Sequence, residues 1–259
     1  MYDCIEFDHT DGRYCLTLSR PDRLNSFNRQ MHEEVRDALD QASTDTSARV
    51  LLMQATGKGF CAGQDLSDPA VKPGADLSVV IKKFYNPLIQ SLAELPIPTV
   101  AKVQGVAAGA GANLALACDL VFAGESASFI QAFSSIGLVA DSGGTWQLPR
   151  LIGLARAKGL TLLGERVNAK EAAEMGMIWR CIPDDELDGV VTDVVAKLAI
   201  APTLGLGKTK HALRQAFQNP LEPQLLLEAE MQGELGNSHD YAEGVLAFAE
   251  KRPARFKGY

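Results

Sequence analysis

The stretch Gly105-Val-Ala-Ala-Gly-Ala-Gly-Ala-Asn-Leu114 lies near the middle of a chain of 259 residues. Seven of its ten residues are glycine or alanine, so another group can approach the backbone closely. The apolar run Thr99–Gln104 before it predicts a strand, and Ala112–Cys118 predicts a helix. Because free N–H groups at the start of a helix attract negative charge, the N–H of Ala110 is a candidate oxyanion donor.

A phosphate-binding loop is the alternative interpretation of this stretch. Gly109-Ala-Gly111 could begin a G-x-G-x-x-G motif, but Leu114 stands at the position of the third glycine. The stretch also lies in the middle of the chain. These departures disfavour a dinucleotide site.

A second glycine-containing segment, Gly57-Lys-Gly-Phe-Cys-Ala-Gly-Gln-Asp-Leu66, follows a short strand predicted at Val50–Gln54. Gly63 permits a backbone shape that other residues resist, so the N–H of Gln64 can point into a cavity. Taken alone, however, punctuating glycines favour an ordinary turn between a strand and a helix.

A third segment is Ile136-Gly-Leu-Val-Ala-Asp-Ser-Gly-Gly-Thr-Trp146. Asp141 precedes two glycines and a helical pattern, so it could cap a helix that begins near Gly143. A capping role would be compatible with a catalytic role for the same residue. Asp-Ser-Gly-Gly also occurs in the nucleophile segment of chymotrypsin-like proteases. The helix-rich pattern and the absence of a suitably placed upstream histidine exclude that class.

The remaining pattern predicts the domain organisation. Strands and helices alternate to about residue 165, which indicates an α/β class. Later segments are mainly helical, so we expect a core over residues 1–200 and a helical oligomerisation region over residues 201–259. The helices predicted in that region are Thr203–Gln218, Glu222–Ser238 and Asp240–Lys251.

Composition excludes several classes of protein. The net charge is −7 and no run of five basic residues occurs, which disfavours nucleic-acid binding. The five cysteines form no CxxC pair and the four histidines have no ligand spacing, so we expect no metal. No apolar run reaches the roughly 18 residues of a membrane helix, and the acidic N-terminus is unlike a secretory signal. We therefore expect a cytoplasmic protein that does not bind membranes.

The three segments, in this order and spacing, resemble the crotonase (enoyl-CoA hydratase/isomerase) superfamily. The resemblance extends over essentially the whole chain. It implies an α/β spiral of ββα units with a C-terminal helical trimerisation region, and a homotrimer or a dimer of trimers. Further segments that carry it are Ser19-Arg-Pro-Asp-Arg-Leu-Asn25, Cys118-Asp-Leu120, Leu148-Pro-Arg-Leu-Ile-Gly153, Ala172-Ala-Glu-Met-Gly-Met177 and Glu243-Gly-Val-Leu-Ala-Phe-Ala-Glu-Lys-Arg252.

The resemblance also implies a site for an acyl-CoA thioester. The N–H groups of Gln64 and Ala110 would hold the thioester oxygen, and such preorganised donors stabilise the charge that develops there. No separate cofactor is expected, because the substrate carries CoA. The residues implied in substrate or CoA binding are Arg23, Ala62, Asp65, Leu66, Tyr85, Asn113 and Phe133, with Phe256 and Lys257 from a neighbouring subunit.

The reaction depends on the acid and base below this oxyanion hole. The two glutamates of hydratases fall on Asn113 and Phe133, which cannot transfer a proton as a carboxylate does. Asp141 matches the aspartate of dienoyl-CoA isomerases and of the ring-opening isomerases of phenylacetate breakdown. Within the superfamily, the segments are most similar to the 1,2-epoxyphenylacetyl-CoA isomerases.

An isomerase with one catalytic carboxylate, Asp141, is therefore the leading hypothesis, with conversion of 3-enoyl-CoA to 2-enoyl-CoA as a side activity. The apolar residues Leu138, Val139, Phe133 and Trp146 should surround this carboxyl and raise its pKa. The alternatives are a 2-enoyl-CoA hydratase of fatty-acid β-oxidation and, from another class, an RNA-binding member of the superfamily, which the negative net charge disfavours.

Overall fold

Two β-sheets organise the chain, of which the computed structural model describes residues 2–259. The larger sheet has six strands in the order β1-β2-β3-β4-β6-β9, and the smaller has the order β5-β7-β8. In chain order the strands are β1 Ile5–Thr10, β2 Arg13–Leu18, β3 Val50–Ala55, β4 Thr99–Val103, β5 Val106–Ala108, β6 Leu120–Gly124, β7 Ser128–Ile130, β8 Arg166–Asn168 and β9 Arg180–Ile182.

The larger sheet is parallel except at one edge. β1 and β2 form an antiparallel hairpin around Asp11 and Gly12, both of which have positive φ. From β2 to β9 every neighbouring pair is parallel. Parallel strands need a crossover between them, and these crossovers are the helices and the smaller sheet. The α/β class is confirmed.

Within residues 2–259, ten α-helices cover the sheets and form the C-terminal region. They are α1 Arg29–Thr44, α2 Leu77–Val80, α3 Asn86–Glu94, α4 Ala110–Leu116, α5 Gly144–Leu163, α6 Ala169–Glu174, α7 Leu187–Ala199, α8 Thr203–Gln215, α9 Leu221–Leu235 and α10 His239–Glu250. Asn28 caps α1 by accepting a hydrogen bond from the N–H of Met31 at 2.9 Å. The buried face of α1 includes Met31, Val35, Leu39 and Ala42, which recur at the period of a helix.

Three local details differ from what the sequence pattern predicts. The pattern over Leu77–Leu95 predicts one long helix, and the chain is helical from Leu77 to Glu94, but a π-helical turn at Ile81–Tyr85 lies between α2 and α3. The expected small-residue loop contains the strand β5, and α4 begins at Ala110 instead of Ala112. The short strand β8 was not predicted at all. The earlier start of α4 matters most, because it makes Ala110 the first residue of that helix.

The core lies on both faces of the larger sheet, as a parallel sheet requires. The main cluster of buried side chains joins α1, α3, α4 and β7 to one face. A smaller cluster, which includes Val50, Phe122 and Val191, joins α7 to the other face. The smaller sheet continues from the ends of β4 and β6, and this continuation carries the loops of the candidate site.

Helix α8 connects the C-terminal helices to the core. The ammonium of Lys210 lies 2.9 Å from the Asp119 carboxylate and donates to the carbonyl oxygens of Leu92 and Ile97. The boundary near residue 200 stays a prediction. Within residues 2–259 no single helix is long and apolar enough to span a membrane; α7 and α8 together have the length and composition but meet at 106°.

Candidate active site

The segment Cys61–Gln64 runs beside β5. The N–H of Ala108 donates to the carbonyl of Cys61 at 2.8 Å, and the N–H of Phe60 donates to Val106 at 2.9 Å. A parallel bridge joins Cys61 to Ala107. These bonds bring the second glycine segment against the start of α4, although about 45 residues separate the two in sequence.

Gly63 makes the close approach possible. Its φ is +89°, and a Cβ added there would lie 3.0 Å from the carbonyl oxygen of Ala108 and 3.3 Å from the amide nitrogen of Ala110. Gly63 therefore lies directly against the first residue of α4. The amide of Gln64 follows on the same strand of backbone.

The N–H groups of Gln64 and Ala110 have no acceptor among residues 2–259, whereas their neighbours Gly109 and Asp65 do. Gly109, with φ of +53° and ψ of −126°, precedes α4 and donates to the carbonyl of Ile130. Two unpaired donors on adjacent backbone segments are the arrangement that an oxyanion hole requires.

Asp141 lies in the loop before α5. Its carboxylate accepts a hydrogen bond from the Ser142 hydroxyl at 2.9 Å. Burial raises the pKa of Asp141 above its ordinary value, and the Ser142 hydroxyl partly opposes this because it stabilises the charged form. The direction agrees with the prediction and suits a group that must both take up and release a proton.

The helix-cap interpretation of Asp141 is wrong. Helix α5 begins at Gly144 after the N-cap Gly143, and no side chain caps it. Positive φ values at Ser142 (+49°) and Gly143 (+78°) turn the chain between Asp141 and the helix. Only the backbone carbonyl of Asp141 accepts from the N–H of Gly144, so the carboxylate stays available.

The apolar surround is less complete than expected. Phe133 is buried and lies against Gly109, where an added Cβ would be 3.8 Å from its ring. Leu138, Val139 and Trp146 are exposed, Val139 by 77%. Three of the four apolar residues expected around Asp141 are therefore exposed in the single chain.

Asn113 lies one turn after Ala110 on α4 and is fully buried. Its amide nitrogen donates to the backbone carbonyl of Asp141 at 2.8 Å, and its oxygen accepts from Gln131 at 2.8 Å. Each end of the side chain therefore makes one hydrogen bond within the protein, and the residue has no exposed surface.

Tyr85 supports the Gln64 segment. Its hydroxyl donates to the side-chain oxygen of Gln64 at 3.0 Å. Burial raises the pKa of Tyr85 well above its ordinary value, and the nearby Cys61 and Asp141 act in the same direction. The Tyr85 ring packs edge-on against His32, with ring centroids 4.4 Å apart.

The residues implied in CoA binding lie along the same loop and on the surface beside it. Arg23 is exposed on the short 3-10 turn Pro21–Arg23, and Leu66 is also exposed. Ala62 is half-buried. The Asp65 carboxylate accepts from Ser67 at 2.6 Å and lies 3.1 Å from the Arg20 guanidinium. Ser67 and Arg20 hold the pKa of Asp65 below its ordinary value.

Phe256 and Lys257 lie with the C-terminal helices. The buried Asp240 carboxylate accepts from the N–H groups of Lys257 at 2.6 Å and Gly258 at 2.7 Å. Phe256 lines a groove of about 450 Å³ between α8, α9 and α10. In one chain these two residues are not brought to the pair of N–H groups, so the expected contribution from a neighbouring subunit stays a prediction.

Sequence reasoning missed four residues that contact the predicted site. Ser142 bonds to the Asp141 carboxylate, and Gln131 bonds to Asn113. Arg20 pairs with Asp65, and His32 packs against Tyr85. Ser142 could have been found from its adjacency to Asp141; the others have no signal in the sequence. No group of three potential metal-ligating side chains occurs in the described part of the chain.

Comparison with known protein families gives one match over nearly the whole chain. The family model described as Enoyl-CoA hydratase/isomerase matches residues 10–259. Solved structures agree: an enoyl-CoA hydratase from Bacillus anthracis superimposes with a TM-score of 0.91 at 31% identity, covering 99% of this chain and 100% of that one.

Two named relatives are more similar in sequence. The "1,2-epoxyphenylacetyl-CoA isomerase" of Escherichia coli K12 is 49% identical over 95% of each chain. A "Probable enoyl-CoA hydratase" of Rhodobacter capsulatus is 46% identical over 99% of each chain. Their two names describe different reactions, so similarity alone does not choose between isomerisation and hydration.

Proposed function

The chain belongs to the enoyl-CoA hydratase/isomerase family, and we propose that it acts there as an acyl-CoA isomerase with a single catalytic carboxylate, Asp141. The N–H groups of Gln64 and Ala110 hold the thioester oxygen. Asp141 removes a proton from the carbon chain and returns it at another position. The same group can serve both steps, because a 1,3-shift consumes no net proton.

The observation that carries the proposal is the contrast between Asp141 and Asn113. Asp141 is half-buried, and burial raises its pKa above the ordinary value, which favours uptake of a proton relative to a solvated carboxyl. Asn113 stands where hydratases carry a glutamate, and its amide is committed to Asp141 and Gln131. Hydration needs a base for water and an acid for carbon, and Asn113 can supply neither.

For the substrate, we propose the 1,2-epoxide of phenylacetyl-CoA, rearranged to a seven-membered oxepin thioester, with a 3-enoyl-CoA as a second substrate. The name of the 49% identical Escherichia coli relative supports this choice. CoA contacts at Arg23, Ala62, Asp65, Leu66, Phe256 and Lys257 belong to the same proposal. The homotrimer or dimer of trimers and the cytoplasmic location stay predictions from the sequence.

Hydration of a 2-enoyl-CoA is the second candidate. The 46% identity to the Rhodobacter capsulatus relative favours it, since that protein is named a hydratase. Asn113 and Phe133 count against it, because neither can act as a general acid or base.

Three substrates separate the candidates: crotonyl-CoA, a 3-enoyl-CoA and the epoxide. We expect isomerisation of the last two and hydration of crotonyl-CoA at least 100-fold slower, a gap on the scale of one missing acid–base group. Comparable hydration would overturn the assignment.

The variant Asp141→Asn tests the carboxylate itself. We expect the kcat of isomerisation to fall by about 10²- to 10⁴-fold, because general acid–base catalysis contributes that much. The Kd for a non-reacting acyl-CoA, measured by calorimetry, should change little. Asp188→Asn is the matched control, since Asp188 is an exposed partner of Lys102 on the surface. Retention of most activity by Asp141→Asn would refute its role.

A further inference from the structure

The side chain of Asn113 connects three segments that are distant in sequence. Its amide nitrogen donates to the carbonyl of Asp141, and its oxygen accepts from Gln131, which follows β7. Gly144 lies so close that a Cβ at that position would collide with the Asn113 amide. Helix α4, the Asp141 loop and the start of α5 therefore meet at one fully buried side chain.

Chemistry determines which way the amide of Asn113 points. A backbone carbonyl can only accept, so the atom facing Asp141 must be the Asn113 nitrogen. The Asn113 oxygen then faces Gln131, which must present its own nitrogen. The remaining oxygen of Gln131 is buried without a partner among the described residues. Leaving this acceptor unsatisfied costs stability. The amides donate in sequence from Gln131 to Asn113 to Asp141, and the unpaired group lies at the Gln131 end.

The position of Asn113 on α4 links it to the oxyanion hole. Ala110 is the first residue of α4 and Asn113 is the fourth, so the two are one turn apart on one short helix. One rigid element thus carries an N–H donor for the thioester oxygen and the side chain that holds the backbone of Asp141. The distance between the bound thioester oxygen and the Asp141 carboxylate therefore depends on the position of α4.

We infer that Asn113 is a positioning residue for Asp141: it does not touch substrate, and it fixes the carboxylate at a set distance from the N–H groups of Gln64 and Ala110. This inference rests on the proposed acid–base role of Asp141. It replaces the expectation that Asn113 contacts the substrate, because its side chain has no exposed surface.

The variant Asn113→Leu keeps the shape of the side chain and removes both hydrogen bonds. We expect kcat with a 3-enoyl-CoA to fall by about 10- to 100-fold, the scale of a misplacement near 1 Å, with KM nearly unchanged. Gln131→Leu leaves Asn113 in place without its second anchor and should give a smaller fall in kcat.

Gln224→Leu is the matched control. Gln224 is also buried, donates to a backbone carbonyl (Ala212, 3.1 Å) and accepts from another amide (Asn219, 3.1 Å), but it lies in the C-terminal helices. We expect it to lower Tm about as much as Asn113→Leu while kcat stays at the wild-type value. A purely structural role for Asn113 predicts the same pattern for both variants.

A second measurement needs no turnover. The Asp141 carboxyl is titrated by ¹³C NMR in protein labelled at aspartate, with Asp141→Asn assigning its resonance. In Asn113→Leu the pKa of Asp141 should fall toward its ordinary value, because a released segment exposes the carboxyl to water. Gln224→Leu should titrate as the wild type does.

The outcomes separate this inference from the proposed function. If the wild type isomerises none of the substrates, the proposed function fails and the titration alone decides the role of Asn113. A wild-type kcat together with a wild-type titration in Asn113→Leu overturns the inference. If that variant does not fold, Gln131→Leu is judged on the same two measurements.

Discussion

The two walls of the candidate site are built by different means. The N–H wall, formed by Cys61–Gln64 and Gly109–Ala110, depends on backbone geometry: positive φ at Gly63 and Gly109 and hydrogen bonds to β5. The carboxylate wall, Asp141–Ser142, is held by side chains, with Asn113 on its backbone and Ser142 on its carboxylate.

This difference explains how one kind of site can serve several reactions. Backbone donors survive most substitutions, because every residue except proline carries an N–H. A side chain that holds a segment in place, by contrast, is lost through a single substitution. A family that keeps the N–H wall and varies the carboxylate wall can therefore hold the same thioester while it moves different protons, which agrees with relatives named isomerase and hydratase at similar identity.

Gly63→Ala displaces the N–H wall and should have a larger effect on activity than changes to the packing behind that wall or to Ser142. A Cβ there would press on Ala108 and Ala110, so we expect kcat/KM to fall by about 10²- to 10³-fold, as when one oxyanion donor is lost. Gly74→Ala is the control: its φ is +92°, but nothing lies within 4 Å of the added Cβ. Both variants should lose about 1–3 kcal/mol of unfolding free energy from backbone strain, and only Gly63→Ala should lose activity. Equal activity in the two would show that the N–H wall tolerates displacement.

The pH dependence of stability tests the packing behind the N–H wall. His32 is buried among Phe27, Phe84 and Tyr85, and burial lowers its pKa from 6.5 to about 4. Between pH 6.5 and pH 4 the unfolded chain therefore binds a proton at His32 that the folded chain does not bind. The contribution of neutral His32 to the free energy of unfolding is complete above pH 6.5 and is lost as the pH falls toward 4. The loss amounts to about 3 kcal/mol from this group.

Urea unfolding at pH 7.5 and pH 4 measures this loss. The decrease in the wild type should exceed that in His32→Leu by about 3 kcal/mol. Acidic groups also titrate in this range, and the difference between the two proteins removes their contribution. His9→Leu, at an exposed position of β1, should behave as the wild type does. If the stability of His32→Leu depended on pH as that of the wild type does, His32 would be able to accept a proton without disturbing the N–H wall.

Ser142→Ala should have the smallest effect. The hydroxyl lowers the pKa of Asp141 against the effect of burial, so its removal raises that pKa further and moves the acidic limb of the kcat/KM profile to higher pH. On that limb we expect activity to fall by roughly 2- to 10-fold, the value of one hydrogen bond. Ser142→Gly controls for backbone strain at φ +49°, since glycine relaxes the strain and also lacks the hydroxyl. A shift in the alanine variant alone would assign the effect to the backbone.

The N–H wall could be predicted from sequence more completely than the carboxylate wall. Gly63 and the small residues around Ala110 meet local requirements of the backbone, so the sequence marks their positions, although the Gly63 segment alone also fits an ordinary turn. Asn113 donates to Asp141 and accepts from Gln131, which lie 28 and 18 positions away, so these bonds depend on how the two sheets bring distant segments together.

Local signals also misled where tertiary contacts decide. Asp141 before two glycines has the sequence of a helix cap, but positive φ at Ser142 and Gly143 turns it away from α5. The strands β5 and β8 have three residues each, which is too short for a two-residue period to be recognised. Both exist because β7 lies between them and pairs with each.

Arg49, at the start of the buried strand β3, has a consequence for the order of events during synthesis. Its guanidinium donates to the carbonyl oxygens of Ala199, Ala201 and Phe256, which lie 150 to 207 residues later in the chain. At about 5–20 residues per second, a ribosome needs roughly 10–40 seconds to supply the last of these partners. The Arg49 guanidinium therefore stays solvated until these partners have been synthesised, and its three hydrogen bonds form only after residue 256 has been made.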